Sequence, residues 1–208
     1  MSVARGIAIG GSLGGAEALG RLLTVLPTPC LPIAVVLHRR VDSTKSLAAL
    51  VARLSGRAVR EVEDDTPLGS GVYLAPADYH LLIDGDRLRL SVDDEVQFAR
   101  PSIDELFHSA AQSWGSAAAA VMLTAASDDG AEGIAAVAQR GGAVYVEDPA
   151  TARSHRGPAA ALAALAAGGF RPTVGTPEEL GAALCEWLSR DRRMPSEGRS
   201  RNPERRDS

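Results

Sequence analysis

Ser12 lies in the stretch Gly10-Gly11-Ser12-Leu13-Gly14-Gly15, after the apolar run Gly6-Ile7-Ala8-Ile9 and before an apolar-periodic segment spanning 16–26. His38 directly follows a β-branched run, Ile33-Ala34-Val35-Val36-Leu37, and the pair Asp128-Asp129 closes a polar loop after the apolar run 118–123. A serine hydroxyl is a poor nucleophile until a base takes its proton. Imidazole does this best when a carboxylate fixes its tautomer and stabilises its charged form. The chain offers all three groups, each just beyond a predicted strand. The order Ser, His, Asp matches none of the familiar serine hydrolase orders, but a triad is defined by geometry rather than by sequence position.

The glycine turn admits a second chemistry. A dinucleotide-binding turn, G-x-G-x-x-G, needs glycine where Ser12 stands, because the pyrophosphate must approach bare backbone. It also needs an acidic residue for the ribose about 20 residues on, where this chain has His38. The G-x-S-x-G pattern, which presents a serine on a strained strand-to-helix turn, fits Gly10, Ser12 and Gly14 better. Nucleotide binding is therefore disfavoured, although the six residues alone also suit a plain glycine turn that ends a strand.

The elements that would position these groups read as alternating strands and helices. Ser43 is predicted to cap a helix through Leu47, Leu50, Val51 and Leu54, stopped by Gly56. Short strands are predicted at 59–62 and 72–75. A hairpin follows, Leu81-Leu82-Ile83 with Leu88-Arg89-Leu90, joined through Asp84-Gly85-Asp86. Ser102-Ile103-Asp104-Glu105 is a capping box for a helix that Gly115 should end. A strand at 118–123, a helix at 131–140, a strand at 143–146, an Ala-rich helix near 158–167 and a last helix capped by Thr176-Pro177-Glu178-Glu179 complete the chain. This order predicts an α/β fold: a three-layer α/β/α sandwich around a mostly parallel, doubly wound sheet with a small antiparallel hairpin insertion.

With 208 residues, 45% hydrophobic and 23% charged, the composition is that of one globular domain. The predicted division is a domain over 1–189 and a disordered, charged C-terminal tail over 190–208. A formal net charge of −4 supplies no positive field for nucleic acid. Cys30 and Cys185 have no metal-ligand spacing and read as buried thiols, and no metal or cofactor is expected. The N-terminus lacks a signal-peptide pattern and no run of about 18 apolar residues occurs, which predicts a cytoplasmic protein without membrane insertion.

The chain resembles the catalytic domain of the chemotaxis protein-glutamate methylesterases. The resemblance rests on five stretches in order: Ile7 to Gly15; Val35-Val36-Leu37-His38; Gly71-Val72-Tyr73-Leu74-Ala75-Pro76-Ala77-Asp78-Tyr79-His80; Arg100-Pro101-Ser102-Ile103-Asp104-Glu105-Leu106-Phe107; and Leu123-Thr124-Ala125-Ala126-Ser127-Asp128-Asp129-Gly130-Ala131. It implies a cytoplasmic bacterial enzyme that removes methyl esters from glutamates of chemoreceptor helices and releases methanol; the family's chemistry also allows glutamine deamidation, which the sequence leaves open. It also implies Ser12 as nucleophile, His38 as base and Asp129 as the third member, with Asp128 ranked second. The family commonly carries an N-terminal receiver domain, whereas this chain begins close to its first strand; the resemblance leaves open a stand-alone esterase, a domain used with a separate response regulator or signalling partner, and a part of a longer protein.

Leu13 stands where the family usually has threonine, Arg39-Arg40 where it has Met-Pro, and Ala125-Ala126-Ser127 where it commonly has Gly-Met-Gly. These changes line the presumed cleft and bear on substrate recognition and oxyanion stabilisation. Arg39 and Arg40 read as solvated residues; beside the base they could also hold acidic receptor side chains or the product carboxylate. The altered cleft also keeps a second reading in view, a weakly active or inactive module that binds receptor or partner. His80, His108 and His155 read as structural or surface histidines.

Overall fold

A computed structural model describes residues 5–28, 31–39 and 46–191. Seven strands form one parallel sheet: β1 (Gly6–Gly11), β2 (Pro32–Leu37), β3 (Val59–Glu61), β5 (Gly71–Leu74), β8 (Ala118–Met122), β9 (Ala143–Glu147) and β10 (Thr173–Gly175), in the order β10-β9-β8-β1-β2-β5-β3. A separate antiparallel sheet, ordered β4-β7-β6, is made of β4 (Thr66–Pro67), β6 (His80–Asp84) and β7 (Arg87–Ser91). The helices are α1 (Gly15–Val25), α2 (Leu47–Ser55), α3 (Ile103–Trp114), α4 (Ala131–Gln139), α5 (Arg156–Ala167) and α6 (Pro177–Asp191). The three-layer α/β/α architecture is as expected from the sequence.

Strand alternation decides which helices cover which face. Ile7, Ile9, Val35, Ala119 and Val121 pack with α1, α2 and α6, whereas Ala8, Ala34, Val36, Ala120 and Met122 pack with α3, α4 and α5. Both faces of the central strands are buried, which is why these strands read as continuous apolar runs. On the α3 face β1 presents only small residues. A Cβ added at Gly10 would come within 2.1 Å of Ile103 Cγ2, so α3 lies against β1 because nothing stands between them. That contact carries the N-terminus of α3 to the carboxyl end of β1, beside Ser12.

Several local expectations shift. The α2 cap is Ser46, whose Oγ accepts from Ala49 N at 3.2 Å; Ser43 lies outside the described residues. Gly56 ends that helix in the left-handed conformation, as expected. The short edge strands β4 and β10 were not predicted, since neither carries an apolar alternation. Helix α6 runs through Asp191, past the expected boundary at 189, and the rest of the predicted tail lies outside the described residues. Cys30 also lies outside them, and Cys185 is half-buried rather than buried, with its Sγ 3.6 Å from Val25 O. No helix among the described residues is long and apolar enough to cross a membrane.

Candidate active site

Ser12 and His38 end adjacent parallel strands. The β1/β2 register pairs Gly11 with Leu37, so Ser12 and His38 are the next pair in line, and His38 N donates to Gly11 O at 3.0 Å. Thr124 clamps the Ser12 turn: Ser12 N donates to Thr124 O at 2.9 Å, and Thr124 Oγ1 donates to Leu13 O at 2.9 Å. Gly14 then enters α1 at φ 84°, a left-handed conformation that disfavours any residue with a Cβ. Among the described residues, neither Leu13 nor Ala126 uses its N–H in a hydrogen bond. Both belong to loops that meet through Thr124.

Asp129 is wholly buried and its carboxylate is surrounded by donors. Oδ2 accepts from His38 Nε2 and from Ile103 N, each at 2.7 Å; Oδ1 accepts from Ser102 Oγ at 2.8 Å and from Asp104 N at 2.9 Å. Three of these four donors belong to the N-cap and first turn of α3, where a helix leaves its N–H groups without internal partners and favours negative charge. Burial alone would push the Asp129 carboxyl up. The His38 hydrogen bond and the backbone N–H groups of Ile103 and Asp104 outweigh it and hold the group below the ordinary carboxylate range. An ionised carboxylate only accepts, so Nε2 carries a proton, and in the neutral imidazole the lone pair is then on Nδ1.

A second carboxylate completes an exchange between two helices. Asp104, in the first turn of α3, accepts from Gly133 N of α4 at 2.7 Å and from Gln97 Nε2 at 2.9 Å. Asp129 precedes α4 and serves the N-terminus of α3; Asp104 belongs to α3 and serves the N-terminus of α4. Burial, followed by the neighbouring Asp129 charge, raises the Asp104 pKa, whereas that of Asp129 is lowered, so the two adjacent acids shift in opposite directions. Ser102 is fixed from behind by buried His80, whose Nδ1 accepts from Ser102 N at 3.2 Å while Nε2 donates to Asp94 O at 3.1 Å. His80 is thus the satisfied core histidine expected. Glu147, also buried, accepts from Thr124 N at 2.7 Å behind the Ser12 turn.

Of the two candidate aspartates, only Asp129 reaches His38. Asp128 points outward and pairs with Arg156 at 2.9 and 3.0 Å. No hydrogen bond joins the Ser12 hydroxyl to His38 among the described residues. Arg39 is half-buried rather than solvated, and its Nη1 donates to Glu61 Oε1 at 2.9 Å, so the charge that could have held a ligand carboxylate is paired within the protein; Arg40 lies outside the described residues. The supporting roles of His80, Asp104, Thr124 and Glu147 were not foreseen. The Ser102 capping box was the one local signal, since it marked a helix N-terminus needing acceptors, but it named no distant partner. Among the described residues no cluster of His, Cys, Asp or Glu could hold a metal.

Comparison with known proteins gives a consistent picture. The CheB methylesterase family profile matches residues 7–195. A protein-glutamate methylesterase/protein-glutamine glutaminase of Nocardioides sp. is 37% identical over 191 residues, covering 89% of this chain and 51% of that protein. One of the same name from Anaeromyxobacter dehalogenans is 40% identical over 147 residues, 70% of this chain and 43% of that protein. The chain therefore spans about half the length of these two relatives. The crystal structure of the Thermotoga maritima CheB methylesterase catalytic domain superposes with a TM-score of 0.80 at 30% identity, covering 88% of this chain and 98% of that one.

Proposed function

The chain belongs to the CheB methylesterase family, and from that premise we propose that it hydrolyses glutamate methyl esters in chemoreceptor helices through an acyl-enzyme on Ser12. The observation that carries the reading is the His38–Asp129 pair at 2.7 Å, held one strand away from Ser12 by the first turn of α3. His38 Nδ1 takes the Ser12 proton as Oγ attacks the ester carbonyl carbon, while Asp129 holds the opposite ring nitrogen and stabilises the imidazolium. The N–H groups of Leu13 and Ala126 are the candidate donors to the oxyanion. They are backbone groups, and the side-chain departures at these positions leave them in place. Collapse of the tetrahedral intermediate breaks the bond to the methoxy oxygen, which leaves as methanol with the proton from His38. Water then attacks the acyl carbon, deprotonated by the same nitrogen, and frees the glutamate carboxylate and Ser12. A glutamine amide follows the same course with ammonia as leaving group, in line with the second half of the relatives' names.

The unbonded Ser12 hydroxyl favours a second reading, a receptor-binding module of low activity. Methanol release from a helical peptide bearing a glutamate methyl ester separates the two. Wild type should release methanol, and Ser12→Ala should abolish release while still binding the peptide. Equal release by both proteins would refute the esterase reading.

A further inference from the structure

Charges around the site are mostly spent within the protein. Arg39 pairs with Glu61, Arg156 with Asp128, and Arg100 with Asp78 at 2.7 Å. Arg153 is the exception: it is exposed and, among the described residues, makes neither an ion pair nor a hydrogen bond. Its side chain nevertheless starts from a fixed place. A Cβ added at Gly14 would meet Arg153 Cδ at 2.8 Å and Arg153 Cβ at 2.9 Å, so the arginine stem crosses the turn two residues after Ser12. The backbone beneath it is tied to the clamp that holds that turn: Ser154 N donates to Thr124 Oγ1 at 2.8 Å, and Ala125 N donates to Ser154 O at 3.3 Å. A free guanidinium is therefore anchored beside the nucleophile turn.

We infer that Arg153 is a specificity-determining residue that binds the carboxylate of an acidic side chain one helical turn from the reacting glutamate. The inference rests on the esterase reading, which supplies a helical substrate. On a helix, residues three or four apart share a face with Cβ atoms about 5–6 Å apart. Gly15 N donates to Ser12 O at 2.8 Å, so residues 12–15 close a tight turn whose end Cα atoms lie less than about 7 Å apart, and the step from Ser12 to the Arg153 stem over Gly14 is of the order of one helical turn of substrate, about 5.4 Å. With the ester on Ser12, a carboxylate one turn along meets the guanidinium. Its planar fork suits a carboxylate in a two-point pairing that a lysine could not reproduce.

The test uses three helical peptides that carry one glutamate methyl ester and differ in the residue four positions away: Glu, Gln or Lys. The full chain should prefer the Glu peptide over the Gln peptide by roughly two- to fivefold in kcat/KM, the range for a solvent-exposed ion pair, with the difference in KM rather than kcat and fading at high salt. In Arg153→Gln the ratio should collapse to about one, and in Arg153→Glu the preference should move to the Lys peptide. The dissociation constants of the same peptides, measured by fluorescence anisotropy in the Ser12→Ala background with and without Arg153→Gln, should follow the same order. A wild type that does not discriminate, or a preference that survives Arg153→Gln, overturns the inference. If no peptide is hydrolysed, the esterase reading fails, and the anisotropy series still decides the role of Arg153.

Discussion

Replacing Asp129 by asparagine tests the reciprocal capping of α3 and α4 and the histidine tautomer together. The carboxylate accepts four hydrogen bonds, two on each oxygen. An asparagine offers one acceptor oxygen and one NH2 group. If the NH2 takes the Oδ2 position, His38 can turn acceptor at Nε2 but Ile103 N–H loses its partner; if it takes the Oδ1 position, the Ser102 hydroxyl can turn acceptor but Asp104 N–H loses its partner. Either way a buried backbone donor is left unsatisfied, at about 1–3 kcal/mol, and charge-assisted hydrogen bonds become neutral ones. We expect a loss near 2–3 kcal/mol, seen as a fall in Tm of roughly 4–12 °C for a domain of this size. With the proton no longer fixed on Nε2, the base at Nδ1 is lost for much of the time, and methanol release should fall by about 10³–10⁴-fold. Asp128→Asn is the control one residue away. Its carboxylate is exposed and paired only with Arg156, so Tm and turnover should stay at wild-type values. The assays are thermal unfolding and methanol release from the helical methyl-ester peptide. An Asp129→Asn protein with unchanged Tm, or with turnover within tenfold of wild type, would refute the reasoning.

Three further outcomes follow from particular residues. Gly14→Ala should destabilise by at least about 1–2 kcal/mol, because φ 84° penalises a Cβ that would also strike Arg153, and urea unfolding would measure it. Phe98 is 98% exposed at φ 63°, so Phe98→Gly should raise Tm by about 2–4 °C, the backbone relief exceeding the added chain entropy; an unchanged or lower Tm would contradict this. Burial raises the Glu147 pKa, so the folded state binds its proton more tightly than the unfolded chain does. Its contribution to stability is full below the unfolded value and lost as pH rises through the folded one. Glu147→Gln, whose amide oxygen can still accept from Thr124 N, should flatten this decline in a series of urea titrations against pH, and an unaltered profile would exclude the cause.

The residues that read correctly from sequence are those whose determinants are local. The β1 turn was legible because Gly10, Ser12 and Gly14 fall within five residues, and the Ser102-to-Glu105 box marked the start of α3, where Glu105 N donates to Ser102 Oγ at 3.4 Å. Thr176 and Glu179 likewise form the expected reciprocal cap, with Thr176 N donating to Glu179 Oε2 at 2.8 Å. What escaped is long-range. Nothing in a periodicity pattern tells that Asp129 satisfies a helix starting 26 residues earlier, or that Glu147 supports the Ser12 turn through Thr124. The ranking of Asp129 over Asp128 came from family resemblance, because two adjacent acids at a helix start are equivalent until packing turns one inward. The position of Arg39 beside His38 is visible in the sequence, whereas its partner Glu61, on β3, is not.

The most direct test of the central claim is covalent labelling of the nucleophile. Incubation of the full chain with a methyl fluorophosphonate, followed by intact-mass and peptide mass spectrometry, should find one phosphonyl group on Ser12, with labelling lost in His38→Ala and slowed strongly in Asp129→Asn. No labelling of the wild-type chain, or modification of another serine that persists in Ser12→Ala, would contradict the account.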